Sequence, residues 1–567
     1  MIALLMLFAA VLLTLDRFRG GPQPVPAVRS SLLPPSDSSF LRGNFSVSPD
    51  GARMAFVAVA LDGTSRLWVR TFSASSAQQL NGTEGAMLPF WSPDSRRIGF
   101  FAEGKLRTVD VGSTAVRILC EAPLGRCGGT WNRDGTIVFA PSIAGPLYRI
   151  PDTGGGVPVP VTSIPRPGSG QSHRWPFFLP DGKHFLYFVD WSTADDPQGN
   201  GIYVGSLDAG APKLVSSELA GNVTFNAGHL LYGRDRSLRA QPFDLDRLQL
   251  SGTVVSIAEQ ELEQDPGFSH SEFSISQNGV LVFQSLADST STLVWFDGSG
   301  KELGQVAGRG YRDPRLSADG RFLAVSSDDA RNGKHFIRVC DLARGSATRV
   351  SDGGSDESPV WSYNGDKITY GTFDGKSYHL EEVPVDGSGP PQLLVRGSAM
   401  RHLDWSSDGH LVFSDFSKGR PELRVYSAAD HQVMTFVTIG AEARFSPDGK
   451  WIAYTGPEAV FVQPFPGPGG RIEISTGRGA QPTWARDGRQ IFYIAPDSKL
   501  MAVSFSPREK SAGAPRMLFQ TRIIAPNFIA TQYDVSPDGR FLINSVPPNH
   551  SSPLTLFTGW TALVRAR

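Results

Sequence analysis

Cysteine is scarce, with three in 567 residues, which excludes a disulfide-stapled scaffold. Cys120 and Cys127 could pair in an oxidising compartment, but two free thiols near adjoining strands is the plainer expectation. Cys340 falls in a predicted strand and reads as core. No charge of one sign dominates: the formal net charge is −1, so the balance offers no basic surface for nucleic acid or anionic membrane. Past the N-terminus there is no convincing amphipathic helical periodicity. The motifs of several enzyme classes are also missing: no Gly-x-Ser-x-Gly elbow, no kinase Gly-rich loop, His-Arg-Asp or Asp-Phe-Gly motif, no His-Glu-x-x-His and no Cys-x-x-Cys. Gly298-Ser299-Gly300-Lys301 lacks the first glycine of a P-loop and is followed by Glu302, so it reads as a hairpin turn. Asp195-Asp196 lacks the alternating oxygen ligands of a calcium loop. The expectation is no catalytic residue, no metal and no cofactor.

What the chain has is glycine (61), proline (42) and one phrase repeated. An aromatic or apolar residue leads into a Ser-Pro-Asp-Gly-like turn, and an apolar strand follows. The clearest copies are Phe45-Ser46-Val47-Ser48-Pro49-Asp50-Gly51, Trp91-Ser92-Pro93-Asp94-Ser95, Phe445-Ser446-Pro447-Asp448-Gly449 and Val535-Ser536-Pro537-Asp538-Gly539. Weaker copies include Trp131 to Gly135, Leu179 to Gly182, Trp361 to Gly365 and Trp484 to Gly488. Eleven steps from Gly51 to Gly539 give a repeat of about 44 residues, the length of a four-stranded propeller blade. Serine and proline open a type I turn, and glycine takes the left-handed position after it. The recurrent aspartates Asp50, Asp94, Asp181, Asp448 and Asp538 are therefore expected to fix turns. Ser95 stands where glycine is expected, with about 1–2 kcal/mol of strain if the left-handed geometry is kept.

Twelve repeats exceed the usual 4–8 blades of one ring. The predicted fold is all-β: two consecutive six-bladed β-propellers after a short N-terminal hydrophobic helix, with seven plus five blades as the alternative. The expected domains are residues 1–15 as a partial transmembrane or anchor helix, 16–40 as a Pro/Ser-rich linker, 41–308 as the first propeller and 309–567 as the second. The apolar run from Met1 to Leu15 would span roughly 22 Å, short of a bilayer core, and reads as the second half of a membrane helix. Val28 to Leu33 could supply a strand that closes one of the rings.

In a propeller, the segments entering the innermost strands sit at the mouth of the central channel. Here they are polar: Glu84, Arg126, His173, Arg174, Arg312, Asp313, Asp356, Glu357, Arg401, His402, Glu442, Arg444 and Gln481. Convergent charged groups at a concave mouth could hold a small polar ligand or a peptide end. Alternatively, they pair between neighbouring blades and hydrate the channel.

The Ser-Pro-Asp-Gly phrase followed by an apolar strand resembles the TolB-like, WD-repeat-like propeller repeat of bacteria. Further phrases extend the likeness: Gly82-Thr83-Glu84-Gly85 before Pro89-Phe90-Trp91, His173-Arg174-Trp175-Pro176 before Phe178, Ala240-Gln241-Pro242-Phe243-Asp244, and the ending from Asn544 to Trp560. Together they resemble the C-terminal propeller sensor region of bacterial transmembrane serine/threonine kinases, with the kinase domain absent. The resemblance implies a non-catalytic, membrane-tethered binding or sensor module. Its propellers would be extracytoplasmic, its ligand a small molecule, glycan or protein. The alternatives are an envelope protein-interaction scaffold, or a hydrolase or lyase using channel carboxylates.

Overall fold

The computed structural model describes residues 27–565 other than 61–63, 114, 124, 126, 143–144, 165–170, 191–198, 209, 260–261, 266–268, 286–290, 309, 329–334, 353, 374–376, 387, 398–399, 418–420, 468, 524–529 and 547–552. The expected N-terminal helix, Arg126 and Asp195-Asp196 lie outside the described residues. Within those residues strand is the dominant element and nearly the only regular one; the one helix, α1, is Thr561–Arg565. No described helix is long and apolar enough to cross a membrane.

The repeated phrase folds as its chemistry requires. Ser48 Oγ donates to Asp50 Oδ1 at 2.5 Å and accepts from Arg53 N at 2.9 Å, while Asp50 Oδ1 also accepts from Ala52 N at 2.9 Å. Gly51 N donates to Ser48 O at 2.8 Å, and Gly51 has a φ of 68°. The same serine-to-aspartate bond, 2.5 Å long, recurs at Ser92–Asp94, Ser446–Asp448 and Ser536–Asp538. These aspartates close turns, so their recurrence needs no catalytic explanation.

Ser95 does adopt the left-handed conformation, with a φ of 59°. Its Oγ accepts from Asp50 N at 3.1 Å and its carbonyl from Arg53 Nη2 at 2.6 Å, both on the neighbouring sheet. Ser95→Ala should keep the backbone strain and lose the Oγ bond, at a cost of about 1 kcal/mol. Ser95→Gly loses the same bond but relieves about 1–2 kcal/mol of strain. Urea unfolding should therefore rank the glycine variant above the alanine variant; the reverse order would mean that the left-handed turn is not retained.

Each turn joins the first two strands of a four-stranded antiparallel sheet. Ser38–Val47, Arg53–Ala60, Ser65–Thr71 and Ala77–Gln79 pair in that order. Ala55 and Val57 pack toward Trp91, Ile98 and Phe100 of the following sheet, while Met54, Phe56 and Ala58 pack toward Val282 and Leu554 on the other side. Both faces of the sheet are covered, so its strands read as apolar runs rather than as alternation.

The sheets form two circuits, in the manner of β-propellers. In the second, inner strand touches inner strand from Tyr311–Leu316 through Glu357–Trp361, Met400–Trp405, Ala441–Phe445, Ala480–Trp484 and Tyr533–Val535, then back to Tyr311–Leu316. In the first, the inner strands run from Ser38–Val47 through Met87–Trp91, Gly129–Trp131, Ser172–Phe178 and Val223–Asn226 to Phe273–Ile275, which packs against Ser38–Val47.

The circuits are not consecutive in the chain. The sheet closing the second takes its inner strands from Tyr533–Val535 and Phe541–Ser545 and its outer strands from Thr292–Phe296 and Glu302–Gln305. The sheet closing the first pairs Phe273–Ile275, Leu281–Gln284, Leu554–Thr558 and Val28–Leu32 in that order. The chain thus leaves the first circuit half-closed, builds the whole second circuit, and returns to add a third strand. A cut between residues 308 and 309 does not separate the two units, and Leu554–Thr558 belongs to the first. The strand at Val28–Leu32 closes the first circuit, with Ser30 opposite Leu556. The physical reason is shared: a ring whose last sheet mixes distant strands cannot open at one edge without breaking a ladder.

Candidate functional site

The predicted channel-mouth residues of the second circuit come together, but they are spent on one another. Five of the six inner strands carry a bulge, and the register slips between Arg312 and Arg315, Glu357 and Val360, Arg401 and Asp404, Ala441 and Arg444, and Ala480 and Thr483. In each bulge one residue is left-handed: Asp313, Ser358, His402, Glu442 and Gln481 have φ between 51° and 55°. The conformation turns a backbone N–H toward the side chain on the preceding strand. Asp313 Oδ2 accepts from Ser358 N at 3.3 Å and Ser358 Oγ from His402 N at 3.4 Å. Ser414 Oγ accepts from Glu442 N at 3.1 Å, Glu442 Oε2 from Gln481 N at 2.9 Å, and Gln481 Oε1 from Gln532 N at 2.9 Å. Asp313 Oδ1 closes the belt by accepting from Thr531 N at 2.7 Å.

The remaining candidates of this circuit are also engaged. Arg401 Nε pairs with Glu357 Oε1 at 2.7 Å. Asp356 accepts from Thr372 Oγ1 at 2.6 Å and Ser351 Oγ at 2.5 Å. Arg312 places its charge beside Asp313. Below the belt, Asp404 takes Arg315 on Oδ1, with Arg444 Nη1 3.4 Å from the same oxygen, and accepts Phe445 N at 2.7 Å on Oδ2. Arg315 reaches this carboxylate from a strand two sheets away, so the ion cluster ties together inner strands that are not neighbours.

The first circuit is different. Its inner strands surround a cavity of ≈ 140 Å³. Phe45, Phe90, Trp175, Phe177 and Phe273 are its aromatic lining residues, and among the described residues Glu272 and His270 are the only ionisable ones in the lining. Trp175 is left-handed, with a φ of 55°, and its ring lies against that of His270, centroids 4.2 Å apart and planes tilted by 41°. Glu272 is 3% exposed, and its Oε2 lies 3.2 Å from His270 Nδ1. Two left-handed glycines make room for these side chains: a Cβ on Gly43 would lie 2.5 Å from Glu272 Oε2, and one on Gly128 would lie 2.9 Å from Trp175 Cε3.

Of the described first-circuit candidates, Glu84, His173 and Arg174, none lines this cavity. Glu84 is half-exposed at the rim and pairs with Arg66 Nε at 3.0 Å. Arg174 pairs with Asp190 at 3.0 Å. His173 is buried, sharing a 2.7 Å hydrogen bond between its Nδ1 and Thr162 Oγ1. The same rule that selected the other segments reaches His270-Ser271-Glu272 before the inner strand Phe273–Ile275, yet sequence reading passed over it because the repeat there is weak. Gly43, Gly128 and Asp404 carried no signal of their own. Among the described residues no group of three or more His, Cys, Asp or Glu is placed to hold a metal ion. Cys120, Cys127 and Cys340 are free thiols, and Cys340 is buried in the core.

Burial sets the pH response. It lowers His173 from 6.5 to about 4 and His402 to about 3, and it raises Asp313 to about 6, with the Glu357 charge adding to the rise. A histidine lowered on folding contributes stability that is full above its unfolded value and is lost as pH falls toward the folded one. For His173 the loss by pH 5 is about 2 kcal/mol. In the second circuit His402 acts in the same sense. Asp313 opposes it, because a raised carboxylate destabilises as pH rises toward 6 and gives that stability back on acidification. The first circuit should therefore lose stability faster between pH 6.5 and pH 5, and His173→Gln should flatten its slope in calorimetric scans. An unchanged slope would count against His173 as the cause.

No family model matches the chain. Among solved structures, a protein assigned as TolB from Agrobacterium tumefaciens is similar over 47% of this chain and 99% of its own, at 16% identity and a TM-score of 0.36. TolB from Acinetobacter baumannii is similar over 59% of this chain and 79% of its own, at 15% identity and a TM-score of 0.31. The tricorn protease is similar over 88% of this chain and 59% of its own, at 14% identity and a TM-score of 0.32. Likenesses this loose assign neither ligand nor activity.

Proposed function

We propose that the chain is a pair of six-bladed, TolB-like β-propellers and that it acts as a non-catalytic binding module, with its ligand site in the channel of the first. The observation that carries this reading is the contrast between the channels. The first holds a cavity lined by residues from its successive inner strands, and in the second the Arg315–Asp404 ion pair joins inner strands of two non-adjacent sheets. Carboxylate-based hydrolysis in the second is disfavoured because Asp313, Asp356, Glu357 and Glu442 already bond neighbouring strands. In the first, His270 pairs with Glu272 and hydrogen-bonds no hydroxyl among the described residues, so no activated nucleophile supports hydrolysis there. The membrane tether, the extracytoplasmic location and the kinship to kinase sensors rest on the apolar N-terminal residues and the ordered set of phrases alone.

The test is a ligand screen followed by calorimetry and amide hydrogen exchange. A true ligand should raise the unfolding transition of the first circuit, leave that of the second in place, and protect Met87–Trp91 and Ser172–Phe178. Ligands that stabilise and protect only the second circuit would refute the reading.

A further inference from the structure

We propose that the first channel receives an organic ammonium group, held between the Glu272 carboxylate and the aromatic wall that includes Trp175. The inference rests on that channel being the binding site and names the chemistry it selects.

Charge is the first argument. Among the described residues no lysine or arginine lines the cavity, and Glu272 is the only carboxylate there. The nearby Arg42 is taken by Glu263. An anionic ligand would meet a buried carboxylate with no guanidinium or ammonium to offset it, whereas a cation would neutralise it. Hydrogen bonding is the second. Glu272 is 3% exposed, yet its Oε2 accepts no hydrogen bond from any described residue, His270 Nδ1 being 3.2 Å away but outside bonding geometry. A buried carboxylate oxygen left without a donor is costly unless something else supplies one, and an ammonium N–H does so.

Shape is the third. Trp175, Phe45, Phe90, Phe177 and Phe273 line the same space. Aromatic faces attract a cation and also cover the carbon body that carries it. Both recognition groups sit above left-handed glycines, Glu272 above Gly43 and Trp175 against Gly128, and a Cβ at either glycine would push its partner aside. The site is thus built from backbone positions that admit only glycine without strain.

A free amine and the α-amino end of a peptide share this chemistry. The experiment uses the full chain and follows tryptophan fluorescence and calorimetric heat with four probes: benzylamine, benzyl alcohol, benzoate, and a short peptide with a free or acetylated amino end. Benzylamine should bind at least tenfold tighter than the alcohol, and benzoate should not bind. Glu272→Gln should weaken benzylamine at least tenfold and leave the alcohol unchanged. Gly43→Ala should act like Glu272→Gln. If the free-ended peptide also outcompetes its acetylated form tenfold, the source is a peptide terminus; if only benzylamine binds, it is a small amine.

Equal binding of alcohol and amine, or preference for benzoate, would overturn the ammonium assignment and leave the channel as a binding site. No binding by any probe, with Glu272→Gln folded to the wild-type melting temperature, would overturn both. Should Gly43→Ala fail to fold, Glu272→Gln alone decides.

Discussion

Removing residues 553–567 should unfold the first circuit and spare the second, although the deleted residues follow the second in sequence. Leu554–Thr558 lies between Leu281–Gln284 and Val28–Leu32 in the first circuit's closing sheet, so its loss breaks two ladders at once. Trp560 follows directly. It is fully buried against Leu231, Leu238, Ala240, Ile257 and Phe283. Trp560→Ala alone should cost about 3–5 kcal/mol, the usual cost of emptying a large aromatic site in a packed core. Limited proteolysis read by mass spectrometry should show the strands between residues 38 and 258 cut early, while the span from 311 to 545 persists. Early cleavage of the second circuit instead would mean that the terminal strand serves that circuit, contrary to the pairing.

Asp404→Ala should be the most damaging single change in the second circuit. Arg315, with 8% of its side chain exposed, would keep its charge and lose its carboxylate partner, and Phe445 N would lose its acceptor. Breaking one side of a buried ion pair costs about 3–5 kcal/mol. Burial pushes the Asp404 carboxyl up while Arg315 pulls it down, so the pair is mutually dependent. The double variant Arg315→Met, Asp404→Leu should recover much of the loss, because it removes both charges from the interior. Equilibrium urea unfolding checks both statements. A cost below about 1 kcal/mol for Asp404→Ala would place the pair in the class of solvated surface bridges.

These effects arise where the fold joins residues far apart in sequence. The phrase around Ser48-Pro49-Asp50-Gly51 is local, and its hydrogen bonds close within five residues of Ser48, so the repeat alone revealed the turns, the strands after them and the all-β class. The channel-mouth rule selects residues by position alone. Asp313, Glu442 and Gln481 do stand together, but as acceptors and donors in a belt between sheets. Whether a polar group faces a ligand or a neighbouring N–H depends on which strand lies opposite, and residue type does not carry that information.

The sequence by itself determined the element type, the repeat length, the turn chemistry and the absence of familiar catalytic motifs, because each rests on contacts between residues a few positions apart. Only the tertiary structure decided how the rings close, which polar groups pair with one another and which residues line the cavity of the first circuit. Val28–Leu32 meets Leu554–Thr558 across the whole chain, Arg315 meets Asp404 from two sheets away, and Glu272 meets Gly43 across a ring closure. The free energy of such contacts depends on burial and on the partner's position, and both are set by the assembled circuits.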